Sequence, residues 1–261
     1  MHILKKFSLC FILFFALFSS SVSANSTPIS WYCKRNNLHI QPRLDADLSV
    51  VEKYDVYWCD KNHTDINEKD KVIYLTFDAG YENGNIEKIL DALKDENVKA
   101  TFFILDNMIL KNELLVKRMI DEGHTVANHT LKHKDMSKIK DYKQFEKELT
   151  ALEELFEKTY GVKMAKYYRP PEGKFTEENL EWTQNLGYKT ILWSFAYADW
   201  DNNKQPSQEY AMKKILDNIH NGEVMLLHPT SSTNAEIMKS LIQLLKKDGF
   251  RFGDMDELCA F

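Results

Sequence analysis

The sequence predicts an α/β protein: a seven-stranded (β/α) barrel, closed or nearly closed, with a short N-terminal extension. Three observations carry that expectation. Short apolar runs alternate with longer amphipathic segments from residue 71 onward, seven such runs are present, and polar clusters stand at the ends of several of them. Strands alternating with helices pair in parallel through right-handed crossovers, and in such barrels the chemistry sits where the strands end. An open doubly wound sheet is the alternative, but no Gly-x-Gly-x-x-Gly turn follows a strand to support its dinucleotide-binding version.

Residues 1–24 contain Lys5 and Lys6, an apolar stretch from Phe7 to Phe18, and the small-residue segment Val22-Ser-Ala24. These are the three parts of a secretory signal peptide. The stretch is shorter than the about 20 residues of a membrane-spanning helix, so cleavage after Ala24 is expected, an uncleaved anchor being the alternative. Losing Lys5 and Lys6 takes 34 basic residues to 32 against 39 acidic ones, and the formal charge from −5 to −7. An acidic chain of this kind is a poor partner for nucleic acid. Taking 24 from 261 leaves 237 residues, which suits one large domain at 67–261 behind an extension at 25–66.

Four cysteines are present, and Cys10 falls in the signal peptide. Cys33, Cys59 and Cys259 allow at most one internal disulfide. A Cys33–Cys59 bond would staple the extension, whereas export into a reducing setting would leave three thiols. None has metal-knuckle spacing, so a structural role is expected for each. The extension itself is polar, with Trp31, Tyr32, Tyr54, Tyr57 and Trp58 as anchors of a strap lying on the main domain; packing is the ordinary fate of scattered aromatics, and glycan binding is the alternative.

The expected strands are 71–77, 99–105, 124–128, 166–169, 189–195, 223–227 and 250–252. Between them Ile86, Ile89, Leu90 and Leu93 recur at helical spacing, as do Leu149, Leu152, Leu155 and Phe156, then Ile215, Leu216 and Ile219, then Ile237, Leu241, Leu244 and Leu245. Gly187, Gly222 and Gly249 each follow a last apolar position, where a left-handed cap favours glycine. Thr176 and the pair Thr233-Asn234 are expected to cap helix starts.

Five clusters carry the chemistry: Tyr74-Leu-Thr-Phe-Asp-Ala-Gly80, Asn128-His-Thr-Leu-Lys-His133, Tyr168-Arg-Pro-Pro-Glu-Gly173, Ala198-Asp-Trp-Asp201 and Leu226-Leu-His-Pro229. Asp78 ends a strand just before a glycine turn, which aims it at a ligand, although a lone carboxylate there is more often a loop cap. His129 and His133 are four apart, so on a helical turn their rings share a face and can share a divalent cation; such a pair is otherwise a solvated surface feature. Thr130 is a ready supporting hydroxyl. Arg169, always charged, can hold Asp78 ionised and oriented, and Pro170-Pro171 with Gly173 makes a stiff turn around it. His228 leaves the apolar run Val224-Met-Leu-Leu227, and Asp199 can fix its tautomer and raise its pKa, the description of a tuned general acid.

Five clusters in this order resemble the motifs of the polysaccharide deacetylase family, over residues 67–258. The resemblance implies a distorted seven-stranded (β/α) barrel, a hydrolase acting on an amide bond, and a divalent cation, zinc being the expected metal. It implies Asp78 as catalytic base, His129 and His133 as metal ligands, Arg169 as the brace of the base, Asp199 as partner of the acid His228, and Trp200 as a wall of the cleft. Pro170 and Tyr81 are expected beside Trp200 as substrate-binding positions. One departure stands out: family members commonly have Asp-Asp where this chain has Asp78-Ala79, and the second Asp is a metal ligand. Catalytic zinc usually has three protein ligands, so weaker binding is expected, with Glu82 as a substitute oxygen donor.

That departure, together with Phe77-Asp-Ala-Gly-Tyr-Glu-Asn-Gly84, Pro170-Pro171 and Leu227-His-Pro-Thr-Ser-Ser-Thr-Asn-Ala235, is similar to a narrower group, the muramic-δ-lactam-forming peptidoglycan de-N-acetylases of spore cortex. The implied partners are glycan strands of peptidoglycan from which an amidase has already removed the stem peptide. The implied location is extracytoplasmic, in the cell wall or the forespore intermembrane space. The alternatives are a deacetylase of N-acetylglucosamine in peptidoglycan or chitin-like glycans, and an inactive glycan-binding protein.

Overall fold

The computed structural model describes residues 27–260; the expected signal peptide, with Cys10, lies outside the described residues. In chain order the strands are β1 (Ile29–Ser30), β2 (Val56–Tyr57), β3 (Lys71–Ala79), β4 (Thr101–Ile104), β5 (Thr125–Asn128), β6 (Tyr167–Tyr168), β7 (Lys174–Phe175), β8 (Lys189–Ile191), β9 (Glu223–Leu227) and β10 (Phe250–Phe252). The α-helices are α1 (Ile86–Asp95), α2 (Asp106–Lys111), α3 (Glu113–Asp121), α4 (Tyr142–Tyr160), α5 (Glu177–Asn185), α6 (Gln208–Leu216), α7 (Ser232–Lys247) and α8 (Met255–Leu258). All seven expected strands are present, as β3, β4, β5, β6, β8, β9 and β10.

These strands pair in parallel in the order β10-β3-β4-β5-β6-β8, and β9 also pairs with β3. A parallel bridge between Phe195 and Met225 ties β9 to the segment after β8. The sheet therefore curls round into a distorted barrel, joined at that point by a single bridge rather than a regular ladder.

Strand alternation decides what each face does. On β3, Ile73, Leu75, Phe77 and Ala79 face the helical layer, where they join Ile89, Leu90 and Leu93 of α1 and Leu241 and Leu245 of α7. The opposite row runs Val72, Tyr74, Thr76, Asp78, apolar at the start of the strand and polar at its end. Burial on both faces explains why the run reads as almost continuously apolar. Each fully buried Leu or Ile contributes about 1.5–3 kcal/mol by leaving water, which holds the strand ends in fixed positions. Leu244 departs from expectation and is partly exposed.

Caps follow local chemistry. Thr176 caps α5 in a reciprocal box with Asn179. Ser231, rather than Thr233 or Asn234, caps α7; Asn234 is used elsewhere, as shown below. Gly222 has φ +73°, and a Cβ there would lie 2.6 Å from the carbonyl oxygens of Asp60 and His63, so only glycine fits. Helices α2 and α3 escape the periodicity because Leu110 and Leu114 are exposed.

The extension is a strap with structure of its own. β2 adds to β8 in parallel and β1 pairs antiparallel with β7. Trp31, Leu48, Val51 and Trp58 bury against Phe175, Leu180 and Leu192, whereas Tyr32 is exposed. Cys33, Cys59 and Cys259 are free thiols, so the Cys33–Cys59 staple is not formed. Burial pushes their pKa values up to about 11, 12 and 12 respectively, which keeps them protonated and inert. Among the described residues no helix is long and apolar enough to cross a membrane.

Candidate active site

The polar end of β3 opens into a cavity of about 750 Å³ lined by Asp78, Tyr81, His129, His133, Trp200 and His228, with Glu172, Trp193, Ala196 and Tyr197 among its other walls. Loops that follow different strands thus deliver four of the five sequence clusters to one cleft directly, and Glu172 brings in the fifth. Pro170 is a correction: it is buried and outside the lining. Glu172 has φ +56°, and this left-handed turn places Glu172 rather than Pro170 on the wall.

Arg169 is fully buried. Its Nη1 donates to Asp78 Oδ1 at 2.8 Å and to Thr76 Oγ1 at 2.9 Å, while Nε and Nη2 donate to the carbonyls of Ile191 and Leu192. The guanidinium also lies 4.2 Å from the Phe103 ring centroid, a favourable place for a cation. Burial alone would raise the Asp78 pKa, but His129, Arg169 and His228 together bring it below the ordinary carboxylate value. Asp78 is therefore held ionised.

His129 and His133 meet with ring centroids 5.1 Å apart, although not on the expected helical turn. They stand in the loop after β5, where Thr130 (φ +76°) and His133 (φ +53°) are left-handed. Asn128 Oδ1 accepts from the Thr130 N–H and Thr130 Oγ1 from the His133 N–H, so the hydroxyl supports the loop backbone. His129 Nδ1 lies 2.8 Å from the Arg169 carbonyl, which makes Nδ1 the protonated nitrogen. Burial lowers the His129 pKa to about 4, leaving Nε2 bare and facing Asp78 Oδ2 at 3.6 Å.

At the far side, His228 Nδ1 donates to Asp199 Oδ1 at 2.7 Å. Asp199 Oδ2 accepts from the His228 N–H at 2.8 Å and from Asn234 Nδ2 at 2.7 Å, and Tyr197 OH in turn donates to Asn234 Oδ1. Burial favours a neutral ring, yet the hydrogen bond and charge of Asp199, with the charge of Asp78, raise the His228 pKa above the ordinary imidazole value. The Trp200 ring stands edge-on to His228 at 6.4 Å, and Tyr81 OH accepts from Asn202. Tyr197 was not singled out from the sequence, and Asn234 reads there only as a helix cap. The only signal was the polar string after His228, which reads equally as a helix start.

The polysaccharide deacetylase family model matches residues 65–191. The peptidoglycan-N-acetylmuramic acid deacetylase PdaA of Bacillus subtilis is 40% identical over 232 residues, 88% of this chain and 86% of PdaA. The chain belongs to the polysaccharide deacetylase family. Its fold superposes on the structure of PdaA, described as a family 4 carbohydrate esterase, with a TM-score of 0.83, covering 90% of this chain and 97% of that one. A peptidoglycan-N-acetylglucosamine deacetylase of Bacillus cereus is 31% identical over 202 residues, 76% of this chain and 92% of the relative. The family match ends before Asp199 and His228, and the longer likeness to PdaA carries the comparison across most of the chain.

A metal can be tested against the residues present. The bare Nε2 of His129 and Oδ2 of Asp78 are two acceptors facing one another with no hydrogen to share, an arrangement that suits a cation, and the Nδ1–H···O=C bond of His129 is the usual support of a metal-binding imidazole. His133 supplies a second ring. The set stops there: among the described residues no three His, Cys, Asp or Glu side chains converge as a full ligand group. Ala79 is buried in the apolar layer, and Glu82 is spent on accepting the Gly84 and Ile86 N–H groups at the start of α1. The residues fit a cation held on two imidazoles.

Proposed function

We propose that this chain is an exported peptidoglycan de-N-acetylase that removes acetate from N-acetylmuramic acid lacking its stem peptide, on the way to muramic-δ-lactam in spore cortex. The observation that carries the reading is the pair lining one cleft: a carboxylate, Asp78, held below the ordinary carboxylate value, and an imidazole, His228, raised above the ordinary imidazole value. Environments that push two titratable groups apart in this way mark a base and an acid. The likeness to PdaA over most of both chains supports the muramic acid substrate.

In this reading Asp78, aligned by Arg169, takes a proton from water as its oxygen bonds to the acetamide carbonyl carbon. His228 then gives its proton to the amide nitrogen as the C–N bond breaks. Acetate and a free amine result. Asp199 holds the Nδ1–H of His228 throughout, so the proton delivered comes from Nε2, which faces the cleft. His129 and His133 would hold a divalent cation, which supplies polarisation of the carbonyl and acidification of the water when bound. Trp200 and Tyr81 would pack along the sugar. The freed amine then stands beside the lactyl carboxylate, and intramolecular closure is favoured by proximity. A prior amidase and an extracytoplasmic location follow from this substrate.

The deciding experiment incubates residues 25–261 with intact and with peptide-stripped peptidoglycan, each with EDTA or zinc, and reads acetate and mass-spectrometric products. Deacetylated or lactam-bearing muramic acid from the stripped glycan alone is expected. The likeness to the Bacillus cereus relative favours a second reading, in which the products carry glucosamine instead. Asp78→Asn should reduce turnover at least about 10²-fold with glycan binding intact; turnover that survives removes Asp78 as the base. Binding without acetate release under any metal supplement would favour the inactive glycan-binding alternative.

A further inference from the structure

The strap reaches the cleft. Residues 31 and 35 follow β1 and both bond to the segment after β8. Trp31 Nε1 donates to the Trp193 carbonyl at 2.9 Å, and Arg35 Nη1 donates to the Ala196 carbonyl at 2.7 Å. On its other flank Trp31 N–H donates to the Gly173 carbonyl at 2.8 Å. The approach there is close enough that a Cβ on Gly173 would lie 3.0 Å from Trp31 Cβ and 2.7 Å from Trp193 Cη2.

Trp193, Ala196 and Glu172, the neighbour of Gly173, are all walls of the cavity. Among the described residues Trp193 and Ala196 flank the short junction where Ser194 and Phe195 bond to Val224 and Leu226 of β9 in place of a regular ladder. We infer that the segment Ile29–Arg35 buttresses a working wall of the cleft, in which Trp31 and Arg35 position Trp193 and Ala196 and thereby set how tightly a glycan chain is held. These are positioning residues, remote from the acid and the base. The extension lies before residue 65, where the family match begins, so this buttress is supplied from outside the matched segment. The inference rests on the glycan substrate proposed above.

The test uses the mature chain with Trp31→Phe, which keeps a ring against Gly173 but loses the indole donor, and with Arg35→Ala and Arg35→Lys. Hydrogen exchange across residues 193–200 and steady-state kinetics are read on each. Loss of one hydrogen bond, from the part-buried Trp31 indole or the exposed Arg35 guanidinium, predicts about a fivefold rise in KM on glycan and a similar speeding of exchange. The kcat on glycan is expected to hold, as is kcat/KM for p-nitrophenyl acetate, which is too small to span the wall. Arg35→Lys, retaining a donor, should recover most of the KM. Unchanged exchange in both Trp31→Phe and Arg35→Ala, or faster exchange with unchanged KM, would overturn the inference and reduce the strap to a cover. If the unaltered protein deacetylates no glycan, the substrate reading fails by itself. Exchange then decides the wall alone: faster in the variants sustains it, unchanged removes it.

Discussion

Two histidine–carboxylate pairs bracket the same five-residue strand, and they end in opposite states. Past the end of β9, His228 and Asp199 are joined at 2.7 Å, and Asp199 accepts two further hydrogen bonds, from the His228 N–H and from Asn234. At its start, His220 Nε2 stands 3.7 Å from Glu223 Oε2, and neither His220 Nε2 nor Glu223 Oε1 has a partner among the described residues. His228 is raised above the ordinary imidazole value, whereas burial lowers His220 to about 4 and lifts Glu223 well above a normal carboxyl. Burial neutralises a pair unless hydrogen-bond donors are supplied to the carboxylate. Of these two pairs, the one raised above the ordinary imidazole value is the one that lines the cleft.

The strongest break of the comparison is Asp199→Asn. An amide cannot balance an imidazolium, so His228 should fall to the neutral state that His220 occupies. Acetate release should drop about 10²–10⁴-fold, the range of a general acid, with circular dichroism unchanged. The pH profile supplies an independent reading. An acid works while protonated, so the unaltered protein keeps activity above the ordinary imidazole pKa and loses it as pH rises through the raised value; in the variant that limb moves to lower pH. A variant within tenfold of the parent would show that Asp199 does not set the proton on His228.

How far the site could be read from sequence follows the same division. Asp78, His129, Arg169 and His228 were visible because each ends an apolar run, and a parallel sheet turns all such ends to one side. Asn234 was not: as the third helical residue of α7 it reads as a cap, and its amide reaches Asp199 only because the loop at 228–231 folds back. The His129–His133 spacing suggested a helical turn, but two left-handed residues bring the rings together instead. Pro170 and Glu172 exchanged places for a similar reason, since one positive φ reverses a side chain without a mark in the pattern. The strap was visible as packing aromatics, while β1 and β2, each two residues long, carry too few side chains to show a period.

Ala79→Asp sharpens the rule at a third position. Ala79 packs within the apolar layer, so a carboxylate there starts poor in donors, as does Glu223, whose Oε1 has none among the described residues. In EDTA the variant should lose about 3 kcal/mol, or about 10 °C of melting temperature for a chain of this size. If the strand end can turn the new side chain toward His129 and His133, zinc should return the lost degrees and bind more tightly in calorimetry than to the parent. A fall that zinc does not reverse would assign the position to the core and leave the two imidazoles as the whole protein share of the site.

The smallest effect tests the neutral pair itself. In the unfolded chain Glu223 ionises near the ordinary carboxyl value of 4.5, but in the fold burial holds it well above that value, so its contribution to stability is present at low pH and lost as pH rises above 4.5. His220 acts on the other side. Its folded pKa of about 4 lies below the unfolded 6.5, so stability is full above 6.5 and declines as pH falls toward 4. Glu223→Gln imitates the protonated acid and removes the first loss while leaving the second. Melting temperature at pH 7 should therefore rise by about 2–4 °C, the effect of about 1 kcal/mol in a chain this long. Below pH 6.5 the variant should still lose stability with acid, because His220 is untouched. A fall at pH 7 would mean that Glu223 is ionised and holds His220 charged, and the two pairs on β9 would then be alike.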